Sequence, residues 1–176
     1  MPPAAAQRRL YFALWPDKAV RRQLEAPQQD ARAACGGRAM GPETLHLTLA
    51  FLGGVDGERV PVVEAAAAAI KRGAFEFLLD RLACWPDKHI VWMGADSVPE
   101  ALAQLAADLS GNLRAAGFVL ETRPFVPHVT LLRKAAKGES LPPARPILWP
   151  VRDFVLVESK LSAAGAHYDI IGRWGL

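Results

Sequence analysis

Two short motifs place a threonine two residues after a histidine. The first is His46-Leu47-Thr48-Leu49, and the second is His128-Val129-Thr130-Leu131. The chain contains only four histidines, so the recurrence is more specific than a single match would be. On a β-strand, residues i and i+2 lie on the same face, about 6.6–7 Å apart. An imidazole and a hydroxyl placed in this way can both reach one phosphate-sized group.

These residue types suit acid–base chemistry at a phosphodiester. Because the ordinary pKa of histidine is about 6.5, one of His46 and His128 can be neutral while the other is protonated near pH 7. The neutral ring would take a proton from water, and the charged ring would protonate the departing oxygen. The hydroxyls of Thr48 and Thr130 would hold the nonbridging oxygens. This chemistry needs no metal, and the near-identity of the motifs leaves open which histidine is the acid.

The surrounding sequence predicts the elements that hold the motifs. Apolar runs and alternation predict strands at 10–14, 45–52, 75–85, 89–93, 128–132, 154–157 and 168–171. Helical spacing and propensity predict helices at 17–34, 58–71 and 98–116. We expect Asp17 and Ser97 to cap two of these helices, 118–120 to extend into a strand, and 135–145 to form a polar loop.

The order of elements repeats along the chain. A strand, a helix and a strand over 10–52 recur over 89–132, and the two histidine motifs are 82 residues apart on the third element of each set. This pattern indicates an internal duplication. Trp-Pro-Asp-Lys also occurs twice, at 15–18 and 85–88. We interpret that second repeat as coincidence, because its offset is 70 residues and its contexts differ. Helices mixed with strands at hairpin spacing predict an α+β fold with mainly antiparallel pairing.

Composition predicts one globular domain over residues 1–176. The chain is 51% hydrophobic and 22% charged, and this length can bury a core without disulfides or metals. Its apolar stretches are too short to span a bilayer, and residues 1–10 lack the apolar segment of a signal peptide. The two cysteines, Cys35 and Cys84, form no CxxC pair, so we expect a reduced cytoplasmic protein. A net charge of +3 mildly favours a phosphate-bearing ligand.

The paired motifs resemble those of the 2H phosphoesterase superfamily. The segment Arg123-Pro124-Phe125-Val126-Pro127-His128-Val129-Thr130-Leu131-Leu132-Arg133 is very similar to the second-motif region of its bacterial RNA 2′,3′-cyclic phosphodiesterases, also called 2′-5′ RNA ligases. The segments 10–14 and 45–53 are similar to that family too, so the resemblance spans nearly the whole chain. It implies two pseudo-symmetric lobes, each an antiparallel sheet with helices packed outside, around a central groove.

The resemblance also implies a reaction and the residues that perform it. RNA ends carrying a 2′,3′-cyclic phosphate would be opened to 2′-phosphomonoesters without a cofactor, and the reverse reaction would be RNA ligation. In that family the first-motif histidine, here His46, is assigned as the proton donor, and the second, His128, as the proton acceptor. Thr48 and Thr130 would bind the phosphate. Arg133 matches a family arginine, although its odd offset from His128 puts it on the opposite strand face unless the strand ends or bulges.

Other functions remain open from the residues alone. The site could act on 2′-5′ oligonucleotides or small cyclic nucleotides, or it could be a noncatalytic module that binds RNA ends. A metal site formed by His46 and His128 is disfavoured because neither motif has a carboxylate nearby. We expect an RNA end as the partner, with no membrane, no obligate protein partner and a monomeric state. We also expect His89 and His167 to lie outside the site.

Overall fold

A computed structural model describes residues 6–136 and 140–176, which fold into ten β-strands, three α-helices and three short 3-10 helices. In chain order the main elements are β1 (Gln7–Leu14), α1 (Lys18–Cys35), β2 (Arg38–Ala39), β3 (Leu47–Asp56), α2 (Val60–Ala68), β4 (Phe75–Leu79), β5 (Arg81–Trp85), β6 (Ile90–Gly94), α3 (Glu100–Ala115), β7 (His128–Arg133), β8 (Ile147–Val151), β9 (Asp153–Ser162) and β10 (Gly165–Gly175). The 3-10 helices are Pro42–Thr44, Gly57–Arg59 and Pro86–Lys88.

Antiparallel pairing joins the strands into two sheets. The larger sheet has the order β10-β9-β1-β3-β7-β6-β5, with β2 paired to β7, and the smaller sheet pairs β4 with β8. All the strand pairs in the described residues are antiparallel. The predicted α+β class with antiparallel sheets is therefore confirmed.

The two halves of the large sheet meet at one residue pair, Leu47 opposite Val129. These residues are 82 positions apart and occupy the same place in the two motifs. When equivalent residues pair in an antiparallel ladder, a local two-fold axis passes between them. The register therefore brings His46 beside Thr130 and Thr48 beside His128 across the junction.

Strand β1 is buried on both of its faces, which explains its unbroken apolar run. One face, which includes the fully buried Phe12, packs into the main core beneath the helices. The other face places Tyr11 and Ala13 in a small cluster with Val155 and Val157 of β9. Phe12 contacts Phe154 and Trp174 in the main core.

The main core is a single cluster that draws buried side chains from all three helices and from both sheets. Representative members are Leu24 of α1, Val63 of α2, Leu105 of α3 and Phe77 of β4. Both halves of the duplicated chain contribute to it. No helix in the described ranges is long and apolar enough to cross a membrane.

The helix predictions are confirmed for α1 and partly wrong elsewhere. Asp17 caps α1 as predicted, because its carboxylate accepts a hydrogen bond from the backbone N–H of Val20 at 2.8 Å. Ser97 does not cap α3: the helix begins at Glu100, and Pro99 stands at the cap with no side-chain hydrogen bond. The predicted helix over 58–71 is shorter, because its first turn is 3-10 and α2 ends at Ala68.

Two strand predictions require correction, and one strand was not predicted. The run over 75–85 is broken at Asp80, so β4 and β5 belong to different sheets. Residues 118–120 form no strand. The sequence did not reveal β8, because Pro150 normally argues against a strand; a two-stranded ribbon tolerates it, since each strand keeps a free edge. The loop expected at 135–145 lies partly outside the described residues.

The cap of α1 supplies a test of the fold. Replacing Asp17 with alanine removes the hydrogen bond to Val20, so we expect the free energy of unfolding to fall by about 1 kcal/mol. Asp17→Asn, which keeps an accepting oxygen, should lose little of that. Urea unfolding at pH 7 measures both variants. Equal losses in the two variants would show that the carboxylate charge, and not the cap, stabilises the helix.

Candidate active site

A cavity of about 200 Å³ opens over the junction of β3 and β7. It lies on the sheet face opposite the main core, since Leu47 and Val129 point into that core and their neighbours point away. Its lining comprises Arg9, Tyr11, Met40, Thr44, His46, Thr48, Phe51, His128, Thr130, Arg133, Ser159 and Tyr168. The structure thus brings together all five residues that the motifs and the family resemblance indicated.

The same hydrogen bond orients both histidines. His46 lies immediately before β3, which begins two residues later than predicted, and its Nδ1 donates to the carbonyl of Thr44 at 2.7 Å. His128 begins β7, and its Nδ1 donates to the carbonyl of Val126 at 2.7 Å. A carbonyl can only accept, so Nδ1 carries the proton in each neutral ring. Nε2 is then the basic nitrogen in both residues, available to a substrate.

Aromatic rings surround His46. The ring of Trp15 stacks on it at a centroid distance of 5.3 Å and an angle of 4°. Tyr11 lies 5.0 Å away, and Tyr168 packs edge-on at 5.5 Å. The hydroxyl of Tyr11 is buried without a hydrogen-bond partner among the described residues, so it is available to a ligand.

The enclosure of His46 determines its protonation. Burial lowers the pKa of His46 to about 4, and the hydrogen bond to the Thr44 carbonyl opposes this shift. Nearby positive charge from His128 and Arg133 lowers the pKa further. In the unliganded protein His46 is therefore neutral at pH 7.

His128 has a similar but more open environment. Trp85 packs edge-on against it at 4.5 Å, and Trp92 lies 6.1 Å away. Burial lowers the pKa of His128 as well, and the positive charges of Lys88 and Arg133 add to the effect. Both site histidines thus share a depressed pKa, with burial as the principal cause.

Trp15, which contacts His46, and Trp85, which contacts His128, both belong to the tetrapeptide Trp-Pro-Asp-Lys that occurs twice in the chain. Trp15 follows β1 and Trp85 ends β5, whereas the duplication relates β1 to β6. The repeat is therefore not a copy inherited from the duplication. The two copies nevertheless share one feature of the structure, since each tryptophan packs on one site histidine. The repeated tetrapeptide marks both tryptophans in the sequence, but only the structure shows that they contact the histidines.

A β-bulge brings Arg133 to the site. Strand β6 has no residue opposite Leu131, so Leu131 and Leu132 are both buried and the alternation shifts by one. Arg133 then projects to the same side as Thr130 and lines the cavity. The bulge removes the difficulty that an odd offset posed for a regular strand.

The first motif contains an equivalent bulge, but it is followed by an aromatic residue where the second motif has an arginine. Strand β1 has no residue opposite Leu49, and Phe51 takes the place equivalent to Arg133. The guanidinium of Arg9 lies 4.8 Å above the Phe51 ring. Neither Arg9 nor Arg133 forms an ion pair within the described ranges. Arg9 and Arg133 are therefore both available to bind an anion. They do not occupy equivalent positions in the two halves of the chain.

The remaining sequence candidates lie elsewhere. His89 bonds to the Ala135 carbonyl at 3.0 Å, and His167 pairs with Asp169 at 2.9 Å on the surface. Phe125 is 36% exposed and lines a groove beside the cavity. Over residues 6–136 and 140–176, no three side chains of the types His, Cys, Asp and Glu gather as they would around a metal ion.

Comparison with known proteins gives consistent matches. The sequence profile of the family described as LigT like phosphoesterase matches the chain twice, over residues 14–92 and 93–168. An RNA 2′,3′-cyclic phosphodiesterase of Escherichia coli is 33% identical over 96% of each chain. A protein of the same name from Thermus thermophilus is 30% identical over 96% of this chain and 90% of its own. The crystal structure of E. coli LigT complexed with 3′-AMP superposes with a TM-score of 0.88 over 97% of this chain and 99% of its own, at 32% identity.

The depressed pKa of His46 should affect stability. Between pH 6.5 and about 4 the unfolded chain binds a proton at this residue that the folded protein does not. Stability is therefore lost as the pH falls through this window. We expect the free energy of unfolding to fall more steeply in the wild type than in His46→Gln, as measured by urea unfolding at half-unit pH intervals. Identical slopes in the two proteins would contradict the burial of a neutral His46.

Proposed function

The chain belongs to the LigT like phosphoesterase family, and from this membership we propose that it hydrolyses RNA 2′,3′-cyclic phosphate ends to 2′-phosphomonoesters. The resemblance drawn from the motifs is thereby confirmed. The observation that carries the proposal is that both motifs line one cavity, with Nδ1 of each histidine bound to a carbonyl and Nε2 left available. Binding alone would not need two proton-transfer groups, which disfavours a noncatalytic module.

The geometry supports a single-displacement mechanism. The cyclic phosphate lies between Thr48 and Thr130, whose hydroxyls donate to its nonbridging oxygens, and Arg133 supplies a positive charge. Nε2 of His128 takes a proton from water as the water oxygen bonds to phosphorus. The bond from phosphorus to the 3′ oxygen breaks, and protonated His46 donates its Nε2 proton to that oxygen. The product keeps its phosphate on the 2′ oxygen.

The acid must be charged before it can act. Both histidines are neutral at pH 7 in the unliganded protein, so the catalytic proton has to be gained when substrate binds. A phosphate anion in the cavity favours the imidazolium form and raises the pKa of a nearby histidine. The face of Trp15, stacked on His46, favours the same charged form through a cation–π interaction. Bound phosphate and the stacked ring of Trp15 would both stabilise a protonated His46, which supports His46 as the proton donor.

Further properties follow from the same proposal. With a 5′-hydroxyl in place of water as the nucleophile, the same displacement of the 3′ oxygen would join two RNA ends by a 2′-5′ linkage, and its reversal would cleave that linkage. Small cyclic nucleotides are a second candidate substrate, since the related E. coli structure contains 3′-AMP and the cavity is small. We further propose that residues 1–176 act as one domain, because both halves contribute to one core, and as a monomer, because both motifs of one chain line the cavity. The two cysteines form no disulfide with each other, which supports a reducing, cytoplasmic location.

Substitution of either histidine tests the assignment. His46→Ala and His128→Ala should each lower turnover about 10²- to 10⁴-fold, the usual contribution of a positioned acid or base. The assay is phosphorus NMR of a short RNA ending in a 2′,3′-cyclic phosphate, with chelator present. His167→Ala, a surface histidine outside the cavity, is the matched control and should keep full turnover. Turnover near the wild-type level in either site variant would remove that histidine from the mechanism.

The pH dependence offers an independent test. Because bound phosphate raises the pKa of the acid, the alkaline limb of kcat should lie at higher pH than that of kcat/KM. Both profiles should be bell-shaped and belong to the coupled pair of histidines. Steady-state rates between pH 4 and 9 measure the two limbs. Coincident limbs would mean that substrate does not change the protonation of the pair.

A further inference from the structure

We propose that Tyr11 is a further catalytic residue, whose hydroxyl donates a hydrogen bond to the phosphate group during the reaction. The proposal rests on the proposed function and adds to it a residue that belongs to neither histidine motif. Tyr11 lies on β1, the strand next to the first motif, and lines the catalytic cavity together with both motifs. Its hydroxyl keeps its own proton throughout, so it binds the phosphate without taking part in proton transfer.

Strand β1 holds Tyr11 on the same face of the sheet as the site. Tyr11 pairs with Phe51 of β3, which also lines the cavity. The Tyr11 ring lies 5.0 Å from the ring of His46, at an angle of 35°. The side chain is only 4% exposed, so its position is fixed by close packing against its neighbours. The hydroxyl is therefore in place before any ligand binds.

The surroundings of the Tyr11 hydroxyl provide no hydrogen-bond partner for it. The ring belongs to a buried cluster with Ala13, Val155 and Val157, whose side chains have no polar atom. Tyr168 packs edge-on at 5.8 Å, but the hydroxyl of Tyr11 forms no hydrogen bond to it. A buried hydroxyl without a partner costs free energy, and such groups are rare in folded proteins. The cavity, which Tyr11 also lines, is the space from which an acceptor can come.

The composition of the cavity favours an anion as that acceptor. Among the described residues, its lining contains two arginines and two histidines but no carboxylate. Such a lining attracts a phosphate group, whose oxygens accept hydrogen bonds. Burial raises the pKa of the Tyr11 hydroxyl far above its ordinary value of about 10, and the neighbouring Tyr168 adds to this shift. The hydroxyl therefore stays protonated between pH 4 and 9, and it acts as a donor toward an anionic oxygen.

A donor held in a buried position is most effective where negative charge develops. During the proposed displacement, charge builds up on the phosphate oxygens and on the departing 3′ oxygen, which faces His46. A hydrogen bond from a preorganised donor to such an oxygen needs no rearrangement at the moment of reaction. Because Tyr11 packs against His46, its hydroxyl would bind phosphate on this side of the cavity. The bond that is missing in the free protein is then formed in the transition state.

Replacing Tyr11 with phenylalanine tests the hydroxyl alone, because the ring that packs on His46 is kept. We expect kcat/KM for an RNA 2′,3′-cyclic phosphate end to fall about 10- to 100-fold, the effect of losing one hydrogen bond to a charged group. The inhibition constant of inorganic phosphate should rise in Tyr11→Phe. Both limbs of the pH profile of kcat/KM should stay at their wild-type positions, since His46 keeps its aromatic neighbour. A displaced limb would show that the variant acts through the pKa of a histidine, and it would overturn the direct contact.

The stability of the free protein gives a second measurement, with the opposite sign. Since an unpaired buried hydroxyl destabilises the folded protein, Tyr11→Phe should melt at a higher temperature than the wild type when no anion is present. Added inorganic phosphate should raise the melting temperature of the wild type more than that of Tyr11→Phe, because the wild type binds it more tightly. Tyr168→Phe makes the same chemical change on the neighbouring, half-buried ring. That variant should not melt at a higher temperature than the wild type.

The outcomes separate the two proposals. An unchanged kcat/KM in Tyr11→Phe, a lower melting temperature, or equal losses in Tyr168→Phe would overturn the role of Tyr11 and leave the hydrolytic function standing. No turnover of any cyclic phosphate by the wild type would overturn the proposed function instead. In that case calorimetric titration of the wild type and of Tyr11→Phe with inorganic phosphate still decides the role of the hydroxyl. Weaker binding by the variant would support it, and equal or absent binding would refute it.

Discussion

A single bridge between Leu47 and Val129 joins the two halves of the large sheet, and the site depends on its register. Because the paired residues are equivalent in the duplicated motifs, the bridge places each histidine beside the threonine of the other motif. A shift of one residue would turn one motif toward the core, since side chains alternate along a strand. The apolar residues between histidine and threonine hold this register: both are fully buried in the main core. Core packing and catalysis are thus coupled through two adjacent strands.

Burial of the histidines is the second constraint. Each ring gives its Nδ1 proton to a carbonyl two residues earlier and packs against a tryptophan, so orientation and desolvation come together. Desolvation lowers the pKa of both rings. In the proposed mechanism, the unliganded site lacks the imidazolium that would donate a proton, and an anionic substrate would favour its formation. Substrate binding and activation are linked through the same electrostatics.

The duplicated frame is symmetric near the bridge and asymmetric beyond it. Phe51 stands where the second half has Arg133, and Arg9 contributes a cation from a different strand. His46 is enclosed by aromatic rings, whereas His128 borders a wide basic groove. The fold therefore places the two histidines symmetrically but gives them different surroundings.

The sequence by itself determined the α+β class, the duplication, the Asp17 cap and the residues of both motifs, because these follow from local periodicity and residue type. It did not reveal β8, the break at Asp80 or the absence of a cap at Ser97, since each depends on which strand or loop packs alongside. Only the tertiary structure decided how Arg133 reaches the site, because a bulge exists only relative to a paired strand. It also decided the roles of Trp15 and Trp85, which contact histidines far away in the chain. Side-chain environments of this kind arise from contacts between distant segments, and a linear pattern does not contain them.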